Sequence, residues 1–197
     1  MKFRMDMMKT GRLHRARIIG THLYSFRNEM ENRKWRGSVG GIVEAPMEEV
    51  WKMVSKSSKL CEWMPMVEKC TDLAGEEGVP GHTRLVSGFM FPQENGDRSW
   101  IKERLVFMDA ASHSYSYRME ASNVGLDGSV NSLKLLEYDE GSTLVDWRFE
   151  MDPLEGSSED TIMDFLGFLY KSCIHRIKAA IELSQLGKSS QEIQDFD

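Results

Sequence analysis

The residues of this 197-residue chain best placed to do chemistry are a glutamate and an arginine in neighbouring extended segments. In 99–109, Ile101, Glu103, Leu105 and Phe107 alternate with Trp100, Lys102, Arg104, Val106 and Met108. Two cations mark the second set as the solvent side, so the first set, Glu103 included, faces the interior. A carboxylate among apolar side chains is costly unless it is paired, neutralised or put to use. In 82–91, His82, Arg84, Val86, Gly88 and Met90 share one face and Thr83, Leu85, Ser87, Phe89 and Phe91 the other, with apolar residues on both. If the two segments form a hairpin, Arg84 and Glu103 lie on adjacent strands and can share a face. A carboxylate beside a planar guanidinium in an apolar cup can move a proton and orient an anionic group. The alternative is an edge-exposed Glu103 paired on the surface with Arg84 or Arg104.

The elements that must position this pair follow from periodicity and turn residues. Residues 35–45 (WRGSVGGIVEA) read as a strand. Pro46 then opens a short helix with Val50, Trp51 and Val54 at helical spacing, and a second covers Ser58 to Trp63, stopping before Pro65. Strands follow at 66–74, 82–91, 99–109, 112–121, 128–138 and 143–152, separated by GEEGVPG, PQENGD, DAAS and DEGS among other breaks. Ser157 or Ser158 caps a final helix in which Ile162, Phe165, Leu166, Leu169, Cys173, Ile177, Ala180 and Leu183 recur at helical spacing, and Gly187 ends it. The predicted class is α+β: one antiparallel seven-stranded sheet wrapped around a long C-terminal helix, with two short helices after the first strand and an internal cavity. Alternation turns Trp147 and Phe149 inward, and likewise Tyr115, Tyr117 and Met119. With Phe107, Phe165 and Leu169 they form the expected cavity wall. The tyrosines serve either as pocket lining or as core.

Composition narrows the classes. A hydrophobic fraction of 41%, a charged fraction of 28% and only five prolines describe a globular chain. No apolar run is long enough to span a membrane. The net charge of −6 argues against nucleic acid as a partner. That charge is uneven: residues 1–34 carry nine basic and three acidic groups, a net of +6, and residues 35–197 carry 16 and 28, a net of −12. The expected organisation is therefore a basic extension at 1–34, a domain at 35–186 and a polar tail at 187–197. The extension is Arg-rich and acid-poor but has little serine, so it reads as an unpacked arm or, alternatively, as an organelle-targeting segment. Three cysteines without a Cys-x-x-Cys pair fit a reducing, cytoplasmic location. His14, His22, His82, His113 and His175 lack metal-ligand spacing, so no metal is expected. Neither a phosphate-binding glycine loop nor a Gly-x-Ser-x-Gly elbow is present. Nothing in the sequence sets an oligomeric state.

The runs GHTRLVSGFMFP, WIKERLVFMD and HSYSY, with KWRGSVGG and LCEWMPMV, resemble the plant lachrymatory-factor synthases and lachrymatory-factor-synthase-like proteins over roughly residues 33–185. These belong to the Bet v 1-like, START-like superfamily, also called polyketide cyclase/dehydrase-like. The resemblance implies a helix-grip fold around a hydrophobic cavity, with Arg84 and Glu103 as the essential pair and no cofactor. It further implies isomerisation of a small sulfenic acid to a thial S-oxide, Arg84 holding the S–O group and Glu103 moving the proton. The expected partner is a small apolar metabolite with one polar end. One stretch departs: where the onion-type enzyme has Gly-Tyr-x-x-Tyr, residues 125–129 read GLDGS, with Leu126 and Ser129 in place of tyrosines. Ser87, Gly88 and Glu103-Arg104-Leu105 also resemble abscisic-acid receptors, but Phe89-Met90-Phe91 replaces their Leu-Pro-Ala gate and their His-Arg-Leu latch is absent. Non-catalytic carriage of apolar metabolites in the same cavity is the alternative function.

The charge division yields a first prediction. Deleting residues 1–30 is expected to leave the thermal midpoint nearly unchanged. A drop above about 10 °C in a melting curve, more than a small stability loss explains at this size, would make the segment integral to the domain.

Overall fold

A computed structural model describes residues 33–93 and 96–194, with side chains up to residue 186. The predicted N-terminal extension thus falls almost wholly outside the described residues. The order is β1 (Trp35–Val43), α1 (Met47–Val54), a 3-10 turn (Ser57–Lys59), α2 (Leu60–Trp63), β2 (Val67–Ala74), β3 (Thr83–Gly88), β4 (Ser99–Asp109), β5 (Ser114–Ser122), β6 (Val130–Asp139), β7 (Ser142–Met151) and α3 (Glu159–Gln194). This is the predicted order. Strands β2 to β7 form a meander in which each pairs antiparallel with the next, and β1 closes onto β7, giving the sheet order β1-β7-β6-β5-β4-β3-β2.

Alternation explains the concave face. Thr143, Val145, Trp147, Phe149 and Met151 are all buried along β7, with Tyr115, Tyr117 and Met119 on β5 and Leu133 and Leu135 on β6. Helix α3 crosses this face. Ser158 caps it, its Oγ accepting the Thr161 N–H at 3.2 Å, and Glu159 and Asp160 suit the positive end of the helix dipole. Leu166, Leu169, Tyr170, Cys173, Ile174, Ile177 and Ile181 form the buried stripe. The stripe ends at Ile181: Leu183, expected within it, is exposed. The helix also continues through Gly187, its expected end, to Gln194. One glycine costs a helix only about 1 kcal/mol and does not by itself stop it. Among the described residues no helix is long and apolar enough to cross a membrane.

Two glycines set close approaches. A Cβ on Gly41 would lie 2.7 Å from Ile174 Cγ2, so its absence lets α3 settle on β1. A Cβ on Gly88 would lie 2.1 Å from the Met66 carbonyl oxygen and 2.9 Å from the Glu68 nitrogen, both backbone atoms that no rotamer change can move. Gly88→Ala is therefore expected to destabilise by about 1–3 kcal/mol. Gly40→Ala, whose Cβ would make ordinary contact with Leu144 Cδ1 at 3.7 Å, should be near neutral. Denaturant midpoints of the two variants check this, and equal midpoints would refute the role of the β2–β3 approach.

Candidate functional site

The β3–β4 hairpin places Arg84 and Glu103 directly opposite each other in the register Val86↔Ile101, Arg84↔Glu103. Both lie on the concave face, 6% and 5% exposed, so the edge-exposed alternative for Glu103 does not hold. Arg84 Nε donates to Glu103 Oε1 at 2.6 Å, and Nη2 approaches the same oxygen at 2.6 Å. Nη1 donates to Ser57 Oγ at 3.1 Å. The guanidinium also lies over the Tyr117 ring, 3.9 Å from its centroid, a cation–π contact in a desolvated setting. On the outer face Arg104 pairs with Glu120, not with Glu103.

Two features follow from this geometry. All contacts to the carboxylate fall on Oε1, so Oε2 is left for another partner. The five guanidinium N–H groups are only partly used by Glu103 and Ser57. Burial opposes the charged form of Arg84, but the adjacent Glu103 carboxylate outweighs it and raises its pKa. Burial raises the Tyr115 hydroxyl against the opposing pull of Arg84, and raises Tyr117 against both Arg84 and a hydrogen bond from Ser57. Both phenols thus stay neutral. Burial pushes the thiols of Cys70 and Cys173 up to about 11 and about 12, which removes them as nucleophiles near neutral pH.

Arg84 and Glu103 sit in the wall of a cavity between the sheet and α3. Of the remaining sequence-predicted residues, Tyr115, Met119, Trp147, Phe149 and Leu169 line it. Tyr117 is buried beneath Arg84 rather than in the wall. Phe165 is half-buried and stands behind the wall, packed on the lining residue Phe91 with ring centroids 5.3 Å apart. Phe107 is a correction: it is 46% exposed on the convex face beside Ser114, Ser116 and Arg148. The β4–β5 register shifts between Leu105 and Phe107, so strict alternation breaks there and Met108 packs inward instead. Sequence reasoning missed Ser57, Trp63, Asn131 and Tyr170. Asn131 shares the inward face of β6 with Leu133 and Leu135, a signal available in the sequence; nothing local marks Ser57.

The volume open to the centre of a water molecule is about 60 Å³, the equivalent of roughly four to six waters. Apolar side chains dominate the lining, Leu126 among them. Among the described residues no group of His, Cys, Asp and Glu could hold a metal ion.

Breaking this pair from one side is expected to cost more than removing it whole. Arg84→Met leaves a buried carboxylate and should cost about 3–5 kcal/mol, whereas Arg84→Met with Glu103→Leu should regain most of that. Chemical denaturation of the single and double variants measures the coupling. Strictly additive losses would mean that the two groups are not stabilised by each other.

The architecture has counterparts among solved structures. It is similar to a START superfamily protein from Mycobacterium smegmatis (TM-score 0.63, 13% identity, 75% of this chain and 97% of that one). It is also similar to major latex-like protein 151 from Panax ginseng (TM-score 0.60, 16% identity, 74% and 96%). A protein from Nitrosospira multiformis gives a TM-score of 0.57 at 21% identity over 76% and 96%. At such identities the likeness is one of fold. The sequence itself matches the family described as polyketide cyclase / dehydrase and lipid transport over residues 36–182. That span contains all but the first residue of β1, the strands β2 to β7, both members of the buried pair and the whole buried stripe of α3, and so the chain belongs to the polyketide cyclase/dehydrase and lipid transport family.

Proposed function

We propose that this protein takes up a small, mostly apolar molecule with one polar end and moves a proton on it, in the manner of a lachrymatory-factor synthase acting on a small sulfenic acid. The observation that carries this reading is the Arg84–Glu103 pair in the cavity wall, with Oε1 occupied by the guanidinium and Oε2 left over. With a 1-propenylsulfenic acid bound, the spare N–H groups of Arg84 hold the S–O oxygen. Glu103 Oε2 takes the proton from that oxygen and returns it to the alkene carbon distal to sulfur. An O–H bond breaks, a C–H bond forms, and the C=C pair becomes C=S, so no oxidant, reductant or cofactor is consumed. Positioned proton transfer of this kind is typically worth about 10²–10⁴ in rate. The cavity volume of about 60 Å³ suits a five-heavy-atom substrate.

A second reading, carriage of a small apolar metabolite without chemistry, draws on Leu126. Its side chain lines the cavity where the resembled enzymes supply a hydroxyl, which makes that part of the wall apolar.

The test is an alliinase-coupled assay with 1-propenyl cysteine sulfoxide, reading the thial S-oxide. Wild type is expected to form it, Glu103→Gln to lose about 10²–10⁴ in rate, and Arg84→Lys to lose rate because it keeps the charge but not the planar fork. Full rate in Glu103→Gln would sink the mechanism. An inactive wild type that still binds small apolar ligands would leave carriage as the function.

A further inference from the structure

Two phenol hydroxyls in the cavity wall have no part in the proton-transfer reading. Tyr115, on β5, and Tyr170, on α3, both line the cavity and are 4% and 6% exposed. Neither hydroxyl has a hydrogen-bond partner among the described residues. Neither is closed to a water-sized molecule, unlike the indole nitrogens of Trp63 and Trp147 in the same wall. These hydroxyls are therefore left to whatever fills the cavity. Tyr117, the third phenol of this face, is committed elsewhere, its ring under Arg84 and its hydroxyl bonded to Ser57. Neighbouring rings hold the other two in place. Tyr170 lies parallel to Trp147 at 4.3 Å and edge-on to Phe149, and Tyr115 packs on Trp51 at 6.1 Å and on Tyr117 at 5.6 Å.

Buried polar groups are nearly always satisfied, and a hydroxyl that an incoming molecule can reach is satisfied by that molecule. Burial raises both phenols and keeps them neutral, with Arg84 opposing at Tyr115, and Glu103 adds to the rise at each. Both hydroxyls thus stand within electrostatic reach of the carboxylate that, with Arg84, marks the polar end of the cavity. Their rings are already fixed, so donating from them costs little ordering on binding. We infer that Tyr115 and Tyr170 are ligand-binding donors, one from the sheet and one from the helix, which hold an acceptor oxygen on the molecule in the cavity. They select a carbonyl, sulfoxide or sulfenate group over its apolar isostere. This rests on the reading of the cavity as a ligand site, not on the proton-transfer step, and it narrows the class of ligand admitted.

Tyr115→Phe and Tyr170→Phe remove the hydroxyl and keep the ring. The probes are butanone and 2-methyl-1-butene, which match in size and shape and differ by exchange of the carbonyl oxygen for a methylene group. Dissociation constants come from NMR titration, with tyrosine labelled at Cζ, the carbon bearing the hydroxyl, as the direct reporter. Expected in wild type is a shift of two tyrosine Cζ signals with the ketone and a smaller one with the alkene. Each substitution should weaken the ketone roughly three- to tenfold relative to the alkene. Both variants should keep the wild-type denaturant midpoint, since neither hydroxyl has a protein partner to lose. A clear drop in both midpoints would mean that the hydroxyls serve the fold, and would overturn the inference. If both probes bind but the substitutions weaken them equally, or not at all, the donor role is wrong while the cavity reading survives. If neither probe binds, the cavity reading fails and the donor role with it.

Discussion

A carboxylate and a guanidinium lie side by side on the concave face of the sheet, and much of the structure exists to make that tolerable. Either charge alone in this setting would be strongly destabilising. The β3–β4 register brings Arg84 opposite Glu103. The turn after α1 supplies Ser57 Oγ to Nη1, and β5 places the Tyr117 ring under the guanidinium plane. Three separate segments therefore converge on one arginine. The Cys70 thiol, half-buried on β2 near the same cation, remains protonated because burial outweighs the pull of Arg84.

The cavity then results from a difference in layering. The seven strands curve around α3, and α2 enters from the side with Trp63. Aromatic rings from three elements meet there: Trp147 stacks on Tyr170, and Trp63 packs against Trp147 at a tilt. Beyond β3, the chain is pinned by Ser99, whose hydroxyl donates to the Gly88 carbonyl at 3.0 Å and accepts the Phe91 N–H at 3.2 Å. Met90 and Phe91 reach the cavity wall from that segment. The result is a small, mostly apolar cavity with Arg84 and Glu103 in its wall.

Strand periodicity made most of this legible. In β7 the inward set Thr143, Val145, Trp147, Phe149 and Met151 can be written down from the sequence, because charges occupy much of the other face. Glu103 stands out by the same logic, as the one charged residue in an apolar set. The same alternation assigns Phe107 inward, and it lies outside because the bulge after Leu105 depends on how β5 pairs, which is not a local property. Ser57 was invisible for a related reason: a serine in SKSSK gains meaning only from the arginine that folds onto it. The end of α3 was misjudged at Gly187 because a glycine is a stop only when the chain beyond it leaves the helix, and here it does not.

Whether such a cavity catalyses or carries turns on what else the buried pair could be doing. One structural use would be to fix strand register. Yet the register of β3 on β4 is already set by pattern: Val86 and Ile101 meet on the inside, while Leu85 and Lys102 meet on the outer side. A slip by one residue would turn Val86, Ile101 and Leu105 out of the core without any help from the ion pair. Nor does stability require it, since apolar residues of similar volume usually serve as well or better than a buried pair. A carrier of wholly apolar molecules gains nothing from a charged pair in its cavity wall. A proton-transfer site would use the spare carboxylate oxygen together with the cation beside it, and a carrier of a molecule with one polar end would use the same two groups only to hold that end.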